Sequence, residues 1–332
     1  MKIAIAILNW NGKALLEQFL PSVLLNSEEA DIYVIDNAST DDSVQFIKSQ
    51  FPTVHIILNS ENGGYAKGYN DGLKHITADV YCLLNSDIEV TPNWLTPIRA
   101  AFNQDSKTAI IQPKILDFKN KDYFEYAGAS GGFIDQYGYP FCRGRIFDTL
   151  EKDNGQYNSN INIDWATGAC LFIRSDVFKT VNGFDNTFFA HMEEIDMCWR
   201  TRNLGYLINC IPASVVYHVG GATLNASNPK KTYLNFRNSL FTLVKNAGGN
   251  ICAIILIRML LDGIAGIQFL LQLKFNHFSA IIHAHFSFYK QLSRVLKERK
   301  TLIQSQNHYK TKLIVWDYFV KKKQKFSELK NS

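Results

Sequence analysis

The sequence predicts an α/β fold built on a doubly wound, mostly parallel sheet. Short apolar runs alternate with helix-like patterns throughout residues 1–90, the order typical of strand–helix–strand units. Each apolar run stops at a polar loop, as residues 80–84 do at Asn85-Ser86-Asp87. Because ligands of open α/β sheets bind beyond the carboxyl ends of the strands, these loops predict a site at one edge of the sheet.

Composition and cysteine spacing restrict the class of protein. The chain of 332 residues is 46% hydrophobic and 20% charged, which is typical of a globular protein with a full core. Its six cysteines form no CxxC pair, which argues against a zinc cluster and favours a reducing cytosol. Only six apolar residues, 3–8, follow Met1-Lys2, too few for a signal-peptide core. We therefore expect a cytoplasmic protein.

The first quarter of the chain predicts four strands in order. Helical patterns fill the intervals between them, although Pro21 is expected to bend or shorten the first helix. Polar residues after the strands make the candidate site loops, at residues 9–12, 36–41, 62–70 and 85–87. The predicted strands are residues 3–8, 32–35, 54–58 and 80–84.

The glycine-rich loop at residues 62–70 is ambiguous. It contains neither GxGxxG nor GxxxxGK[ST], so the dinucleotide-binding and P-loop fingerprints are absent. A tight turn alone explains Gly63-Gly64 as well as a ligand contact does.

The middle of the chain is less regular. We predict a helix at residues 94–102 and a strand at 110–115. Residues 123–160 show no clear pattern and are interpreted as a variable loop region or a small excursion over the site. Residues 163–174 end in a strand-like run, and small side chains at Thr167-Gly168-Ala169 suit either a close ligand or tight packing.

Three carboxylates lie within four positions, at Glu193, Glu194 and Asp196. They repel one another unless a cation, a basic partner or protonation relieves the repulsion. A solvated helix start is the alternative, because acids there favour the helix dipole. The flanking residues Phe188-Phe189 and Trp199 make full solvation the weaker interpretation.

Taken together, these segments resemble the inverting family 2 glycosyltransferases of the GT-A fold, especially rhamnosyltransferase-like bacterial members. Each motif is weak alone, but their order and spacing are specific over roughly residues 3–240. The motifs are Asn9-Trp10-Asn11-Gly12, residues 36–41, residues 62–70, Asn85-Ser86-Asp87, Thr167-Gly168-Ala169, Gly183-Phe184-Asp185, residues 193–196 and His218.

The resemblance implies a site for a nucleotide sugar. Asp36 and Asn37 would bind the base and ribose, and residues 62–70 would close around the nucleotide. The implied donor-binding residues are Asn9, Asn11, Asp36, Asn37, Asn62, Gly63, Gly64, Lys67, Asn70, Asn85, Ser86 and Asp87.

The resemblance also implies a divalent metal, Mg²⁺ or Mn²⁺. Asn85-Ser86-Asp87 stands where the family keeps a DxD motif, so Asp87 would ligate the metal and Asn85 replaces the first acid. Oxygen ligands that share a metal with phosphates suit these two ions. His218 matches a position that supplies a further ligand, and an ordinary packed histidine is the alternative.

For catalysis, Glu194 matches the second position of the family's ED motif, where the family usually has Asp. Glu193 and Asp196 stay open as the base. The base would take a proton from the acceptor hydroxyl as that oxygen attacks the anomeric carbon. The metal would stabilise the departing nucleoside diphosphate, and one displacement would invert the anomeric centre.

The predicted domain boundary follows the charge distribution. Residues 1–245 form the expected catalytic domain, with donor binding in about 1–90 and acceptor binding and catalysis in about 91–245. Residues 246–332 carry 14 Lys and Arg against four Asp and Glu. Such a basic helical region favours a polyanionic partner, either a membrane surface or a nucleic acid. No nucleic-acid recognition motif accompanies the charge, so we expect no nucleic acid.

Residues 251–273 are mostly apolar but contain four polar residues within about a 120° arc of a helix. Arg258 and Asp262 are spaced i, i+4 and are expected to pair. Such a polar stripe favours a helix lying on a membrane over one that crosses it. A second amphipathic stretch covers residues 278–295, and packing on the catalytic domain or on a second subunit is the alternative for both. The interrupting residues are Arg258, Asp262, Gln268 and Gln272.

The sequence therefore predicts a glycosyltransferase of cell-surface polysaccharide synthesis on the inner face of the cell membrane. The expected donor is dTDP-rhamnose or a UDP-hexose, and the expected acceptor is a glycan, lipid-linked in our interpretation. A sugar-1-phosphate nucleotidyltransferase is disfavoured, because no glycine-rich, arginine-containing loop follows the first strand. A catalytically degenerate scaffold stays open, since Asn85 and Glu194 depart from the family motifs.

Overall fold

The computed structural model describes residues 1–220, 228–304 and 309–329. Within these residues nine strands form one mixed sheet, with eight of them in the order β11-β13-β6-β12-β4-β1-β2-β3 and β5 paired to β13. The strands are β1 (Ile3–Asn9), β2 (Asp31–Asp36), β3 (His55–Leu58), β4 (Val80–Asn85), β5 (Ile88–Val90), β6 (Thr108–Asp117), β7 (Gly132–Ile134), β8 (Pro140–Cys142), β9 (Arg145–Ile146), β10 (Thr149–Leu150), β11 (Ile161–Asn162), β12 (Cys170–Arg174) and β13 (Leu207–His218). The α-helices are α1 (Lys13–Leu25), α2 (Ser43–Gln50), α3 (Gly64–Gly72), α4 (Leu95–Gln104), α5 (Ser175–Thr180), α6 (Glu193–Asn203), α7 (Pro229–Asn246), α8 (Ile251–Leu271) and α9 (Phe275–Thr301).

The predicted α/β fold is confirmed. β1 lies between β2 and β4 and is parallel to both, and β2 is parallel to β3. β12 runs antiparallel between β4 and β6, so the sheet is mixed at its centre. The alternation of side chains along β1 explains the two core layers. Ile3, Ile5 and Ile7 pack in the core beneath α1 and α4, and Ala4 and Ala6 pack in the opposite core with α3.

Residues 123–160, which show no clear pattern in the sequence, contain a second sheet. Its four strands are antiparallel in the order β10-β9-β8-β7 and are two or three residues long. Strands this short do not complete the alternation from which a strand is predicted. The small sheet also contacts the end of the chain, since Asp135 Oδ2 accepts a hydrogen bond from Ile314 N at 2.9 Å.

The C-terminal helices follow the sequence prediction in outline. The predicted boundary after residue 245 falls at the end of α7, and parts of the region 246–332 lie outside the described residues. α8 and α9 cover the two predicted amphipathic stretches, and the expected pairing is present, with Arg258 Nε 2.7 Å from Asp262 Oδ1. Among the described helices, α8 alone is long and apolar enough to cross a membrane by length and composition.

Candidate active site

The carboxyl ends of β1 and β2 bring the first predicted site residues together. Asn9 and Asp36 are register partners at the last position of each strand, and both are buried. Asn9 Nδ2 donates to Asp36 Oδ1 at 2.9 Å, and Asp36 Oδ2 accepts from Ser39 N at 2.9 Å. Asn9 Oδ1 is buried without a hydrogen-bond partner. An unpaired buried acceptor costs free energy, so this oxygen marks a position that suits a ligand's donor group.

Asn11 shapes the neighbouring loop. Its Oδ1 accepts hydrogen bonds from Thr40 N at 2.7 Å and Asp41 N at 3.2 Å, and its backbone has a positive φ of 50°. The predicted donor-binding residue Asn11 thus joins the loops after β1 and β2.

Asn37 joins the loop after β2 to the glycine-rich loop. Its Nδ2 donates to Asn62 Oδ1 at 3.0 Å and to Gly64 O at 3.1 Å. Gly64 has φ of +74°, and a Cβ there would lie 2.4 Å from the backbone oxygen of Phe189. Gly64 therefore allows two backbone segments to approach closely, in addition to permitting the turn.

Lys67 and Asn70, two further predicted donor-binding residues, also have partners within the protein. Lys67 forms ion pairs with Asp71 and, at 3.2 Å, with Glu61. Asn70 accepts from Phe184 N at 3.0 Å and donates to Phe184 O at 2.8 Å. Lys67 is thus held at the surface of α3, and Asn70 anchors the segment that leads towards α6.

Asp87, which follows β4, lies next to His218, the last residue of β13. His218 is the register partner of Ile88, which places its ring next to the turn that holds Asp87. His218 Nε2 lies 3.2 Å from Asp87 Oδ1, and its Nδ1 lies 3.3 Å from Glu125 Oε1. All three side chains are buried. Burial lowers the pKa of His218, but the two carboxylates outweigh it and raise that pKa to about 10.

Glu125 is a site residue that the sequence interpretation missed. It lies in the irregular region 123–160, where no spacing or motif marks it, and it reaches His218 because residues 123–126 run beside β6. Its other carboxylate oxygen accepts a hydrogen bond from Ala127 N at 2.6 Å.

The Asp87–His218 pair fits a shared metal site. Among the described residues, no three His, Cys, Asp or Glu side chains are grouped to hold a metal ion. Mg²⁺ at a nucleotide site commonly takes one or two carboxylates and fills its remaining positions with phosphate and water oxygens. A carboxylate beside an imidazole nitrogen suits such a site for Mn²⁺ as well. Asn85 and Ser86 precede Asp87 and are half-buried.

The segment before α6 is strained. Phe189, His191 and Met192 all have positive φ, between 64° and 72°. Asn238 of α7 holds this segment, since its Nδ2 donates to the carbonyls of Ala190 at 3.0 Å and His191 at 2.8 Å. Backbone strain of this kind clusters at functional sites, and here it directs the first turn of α6.

Glu193 and Glu194 open α6 and are both buried or half-buried. Burial raises the pKa of Glu194 to about 7, although the backbone N–H groups of Glu194, Ile195 and Gly168 oppose the shift. Burial and the nearby Glu194 carboxyl raise the pKa of Glu193 well above its usual range. Each carboxyl group has one buried oxygen without a hydrogen-bond partner.

Asp196, the third candidate base, has a different environment. It is fully buried, and its carboxylate contacts Arg200 Nε at 2.9 Å, Lys245 Nζ at 3.0 Å and Asn246 Nδ2 at 2.8 Å. With these three partners Asp196 links α6 to α7. Its contacts therefore indicate a structural role rather than a role as the general base.

Relatives with curated functions share the sequence pattern. The chain is 26% identical over 222 residues to the N-acetylglucosaminyl-diphospho-decaprenol L-rhamnosyltransferase of Mycobacterium tuberculosis, covering 61% of this chain and 71% of that protein. It is 21% identical to the dTDP-rhamnosyl transferase RfbF of Shigella flexneri over 67% of this chain and 73% of that protein.

Solved structures share the fold. GalNAc-T7 with UDP, GalNAc and Mn²⁺ matches with a TM-score of 0.59 at 15% identity, covering 74% of this chain and 48% of that one. Staphylococcus aureus TarS 1–349 with UDP-GlcNAc matches with a TM-score of 0.52 at 14% identity, covering 87% and 73%. At these identities the likeness shows the fold, which is GT-A.

The profile of the family described as Glycosyl transferase family 2 matches residues 4–181, more than half of the chain. This span contains the loops after β1, β2 and β4, and the predicted family is confirmed. The chain is a glycosyltransferase and belongs to glycosyl transferase family 2.

Proposed function

We propose that the protein transfers a sugar, with inversion, from a nucleoside-diphosphate sugar to a hydroxyl of a lipid-linked glycan. One contact carries this proposal, the hydrogen bond of 2.8 Å from Tyr65 N to Phe189 O. It joins the glycine-rich loop of the donor side to the strained segment that leads into Glu193 and Glu194. A donor sugar bound at the loops would therefore lie beside the candidate base.

The donor side is built from the loops after β1, β2 and β4. In this proposal the orphaned Asn9 Oδ1, together with Asp36 and Asn37, takes the nucleoside. Asp87 and His218 would hold Mg²⁺ or Mn²⁺, and the bound ion would neutralise the diphosphate of the leaving nucleotide. One relative is a dTDP-rhamnosyl transferase, and structural neighbours hold UDP or UDP-GlcNAc, so we propose dTDP-rhamnose or a UDP sugar as the donor.

Glu194 is the proposed general base. A base works best when its pKa lies near the operating pH, and the pKa of Glu194 is about 7. Glu193 is more deeply buried, and burial together with the nearby Glu194 carboxyl raises its pKa well above the usual range, which disfavours its deprotonated form. Deprotonation of the acceptor hydroxyl by Glu194 and a single displacement at the anomeric carbon would invert that centre.

The acceptor class follows from the relatives and the charge distribution. The mycobacterial relative's name describes an acceptor carried on a diphospho-decaprenol lipid. The basic region 246–332 would attract an anionic membrane surface, where such a lipid resides. We infer that the protein acts peripherally on the inner face of the cell membrane in polysaccharide synthesis.

Release of nucleoside diphosphate tests the proposal. A panel of dTDP- and UDP-sugars would be incubated with membrane lipid extract, with Mg²⁺, Mn²⁺ or a chelator. Release should need the metal, fall at least about a hundredfold in Glu194→Gln and be lost in Asp87→Ala. Glu28→Gln, a change at an exposed acid outside the candidate site, is the control and should keep full activity.

The scaffold alternative predicts another outcome. Asn85 and Glu194 at motif positions are its support, whereas buried carboxyl oxygens without partners cost stability that a scaffold has no reason to retain. If no donor binds with or without metal, the transferase proposal is wrong. Metal-dependent donor binding without turnover would instead mean that the lipid extract lacks the acceptor.

A further inference from the structure

Helix α8 buries its two charged side chains and exposes a stripe of large apolar ones. Its buried residues recur every four positions, and two of them, Arg258 and Asp262, are charged. Arg258 Nη1 donates to Tyr137 O at 2.9 Å, and Asp262 contacts Arg258, Tyr139 and His285. The opposite face exposes more than half of each large apolar side chain, namely Leu256, Leu260, Ile264, Ile267 and Leu271.

This arrangement disfavours a membrane-crossing helix. Crossing a bilayer would separate Arg258 and Asp262 from the small sheet and from His285 of α9, so the buried pair would lose its other hydrogen-bond partners. A contiguous exposed apolar stripe marks a surface that contacts another apolar phase. When such a helix lies on a bilayer, its charged side chains keep their partners in the protein and its apolar side chains contact lipid.

Two adjoining grooves open next to the turn between α8 and α9. One, of about 390 Å³, is lined by side chains of α7 and α9, among them Lys230, Tyr233 and His283. The other, of about 320 Å³, is lined by Lys274 and the largely exposed Leu273 and Phe275, and the two share Pro229 and Asn276. Among the described residues that line them there is no acid, so both grooves favour an anion.

The first groove adjoins the segment that leads to the candidate base. Lys230 Nζ lies 5.0 Å from the centre of the Phe189 ring, and Phe189 belongs to the strained segment before Glu193. Lys230 therefore joins the first groove to the segment before Glu193, and Lys274 lies in the second groove, just beyond the end of the apolar stripe. That is the order of parts in an acceptor whose sugar is joined through a diphosphate to a polyprenyl chain.

We propose that this surface holds a polyprenyl-diphosphate acceptor in a bilayer. The grooves take the diphosphate, and the apolar stripe of α8 rests in the leaflet that contains the polyprenyl chain. The inference rests on the proposed function, because it names the acceptor class of the same site. It adds the side chains that recognise the lipid and the face that meets the membrane.

Flotation of the full chain with vesicles tests the apolar face. The vesicles contain phosphatidylglycerol and phosphatidylethanolamine, and the variant is Leu260→Asn with Ile264→Asn. The wild type should float, and the variant should bind at least about tenfold more weakly. Leu25→Asn with Leu58→Asn changes two exposed apolar residues elsewhere and should float like the wild type. A wild type that stays at the bottom, or a double variant that floats equally, overturns the proposal.

Doping the vesicles with undecaprenyl diphosphate tests the grooves. The wild type should bind the doped vesicles several-fold more tightly, and Lys230→Gln with Lys274→Gln should lose that gain. Lys48→Gln with Lys179→Gln, two exposed lysines on the catalytic domain, should keep it. No gain in the wild type, or a gain that survives in the groove variant, overturns the diphosphate assignment.

Donor binding separates this inference from the proposed function. Metal-dependent binding of a nucleotide sugar in solution should be unchanged in the stripe and groove variants. If the wild type binds no nucleotide sugar, the proposed function is contradicted, whatever flotation shows. If light scattering finds a dimer that Leu260→Asn separates, and no flotation occurs, the stripe belongs to a second copy and the membrane proposal is overturned.

Discussion

Glu125 and His218 form a buried ion pair on the side of the imidazole ring that faces away from Asp87. The Nδ1 and Oε1 atoms are 3.3 Å apart, and the carboxylate helps to raise the pKa of His218. Glu125 is itself fixed by Ala127 N. A carboxylate behind a metal-binding histidine orients the ring and keeps the other nitrogen towards the metal. We therefore treat Glu125 as a positioning residue.

Removing this charge should weaken metal binding. In Glu125→Gln the side chain keeps its size but no longer holds Nδ1 through charge, so the Kd for Mn²⁺ should rise by about ten- to a hundredfold. Electron paramagnetic resonance of free Mn²⁺, titrated in the presence of UDP, measures this without turnover. Glu89→Gln removes a surface acid that pairs with Lys121 and should leave the Kd unchanged. Equal Mn²⁺ affinity in Glu125→Gln and wild type would contradict the assignment.

The sequence predicts which loops meet at the ends of the parallel strands better than it predicts the contacts of single side chains, for a geometric reason. Parallel strands bring their carboxyl ends together, so Asn9 and Asp36 meet as soon as the strand order is known. Which partner a loop side chain selects is not visible in a strand pattern. Asn70 therefore anchors Phe184 although the motif suggests a donor contact, and Glu125 is missed because its region has no periodicity.

Helix α8 shows the same limit of sequence-based prediction, here for the choice of the helix face that packs on the protein. The i, i+4 spacing of Arg258 and Asp262 predicts their pairing, and the polar arc predicts an amphipathic helix. A hydrophobic pattern does not tell which face meets the protein, because burial of a charge depends on partners elsewhere in the chain. Here the carbonyl of Tyr137 and the hydroxyl of Tyr139, next to the unpredicted small sheet, hold Arg258 and Asp262 inside. Gln268 and Gln272, which belong to the same predicted arc, are exposed.

The pH dependence of transfer should report Glu194. Because the base must be deprotonated and its pKa is about 7, kcat/KM should rise with pH up to about 7 and level off above it. Nucleoside diphosphate release at saturating metal gives the profile, and donor binding measured over the same range serves as the control. A profile that stays flat well below pH 7, with donor binding intact, would be inconsistent with Glu194 as the base.

Lys245 should be essential for stability. Its Nζ lies 2.9 Å from Asp185 Oδ2 and 3.0 Å from Asp196 Oδ2, and the side chain is 4% exposed. Lys245→Met leaves two buried carboxylates short of a cation, so the free energy of unfolding should fall by about 3–5 kcal/mol. Urea unfolding measures it. Lys48→Met, at an exposed lysine, should change the free energy of unfolding by less than about 0.5 kcal/mol. An equally small loss in Lys245→Met would contradict the ion pairs of Lys245 with Asp185 and Asp196.

Acid should remove part of the same stabilisation. Burial tends to raise the pKa of Asp185, but Lys245 and Thr187 outweigh it and lower that pKa from 3.8 to about 2. A lowered carboxyl pKa contributes stability that is present above pH 3.8 and is lost as the pH falls towards 2. The wild type should therefore lose stability over this window, and Lys245→Met should lose less of it. If the wild type and Lys245→Met lose the same amount of stability over this pH window, the Asp185–Lys245 pair does not contribute as proposed.

Gly64 should matter because of what it contacts as well as its backbone angle. In Gly64→Ala the new Cβ would lie 2.4 Å from Phe189 O, so the hydrogen bond from Tyr65 N has to open. Gly205→Ala is the matched control, since Gly205 has φ of +87° and nothing lies within 4 Å of its Cβ position.

Both variants should lose about 1–2 kcal/mol of stability from the left-handed backbone. Only Gly64→Ala should also lose about a hundredfold in kcat/KM, because displacement of the segment before Glu194 misplaces the base. Urea unfolding and nucleoside diphosphate release separate the two effects. Equal activity in the two variants would mean that the approach of the glycine-rich loop to Phe189 does not position the base, and Gly64 would then serve the turn alone.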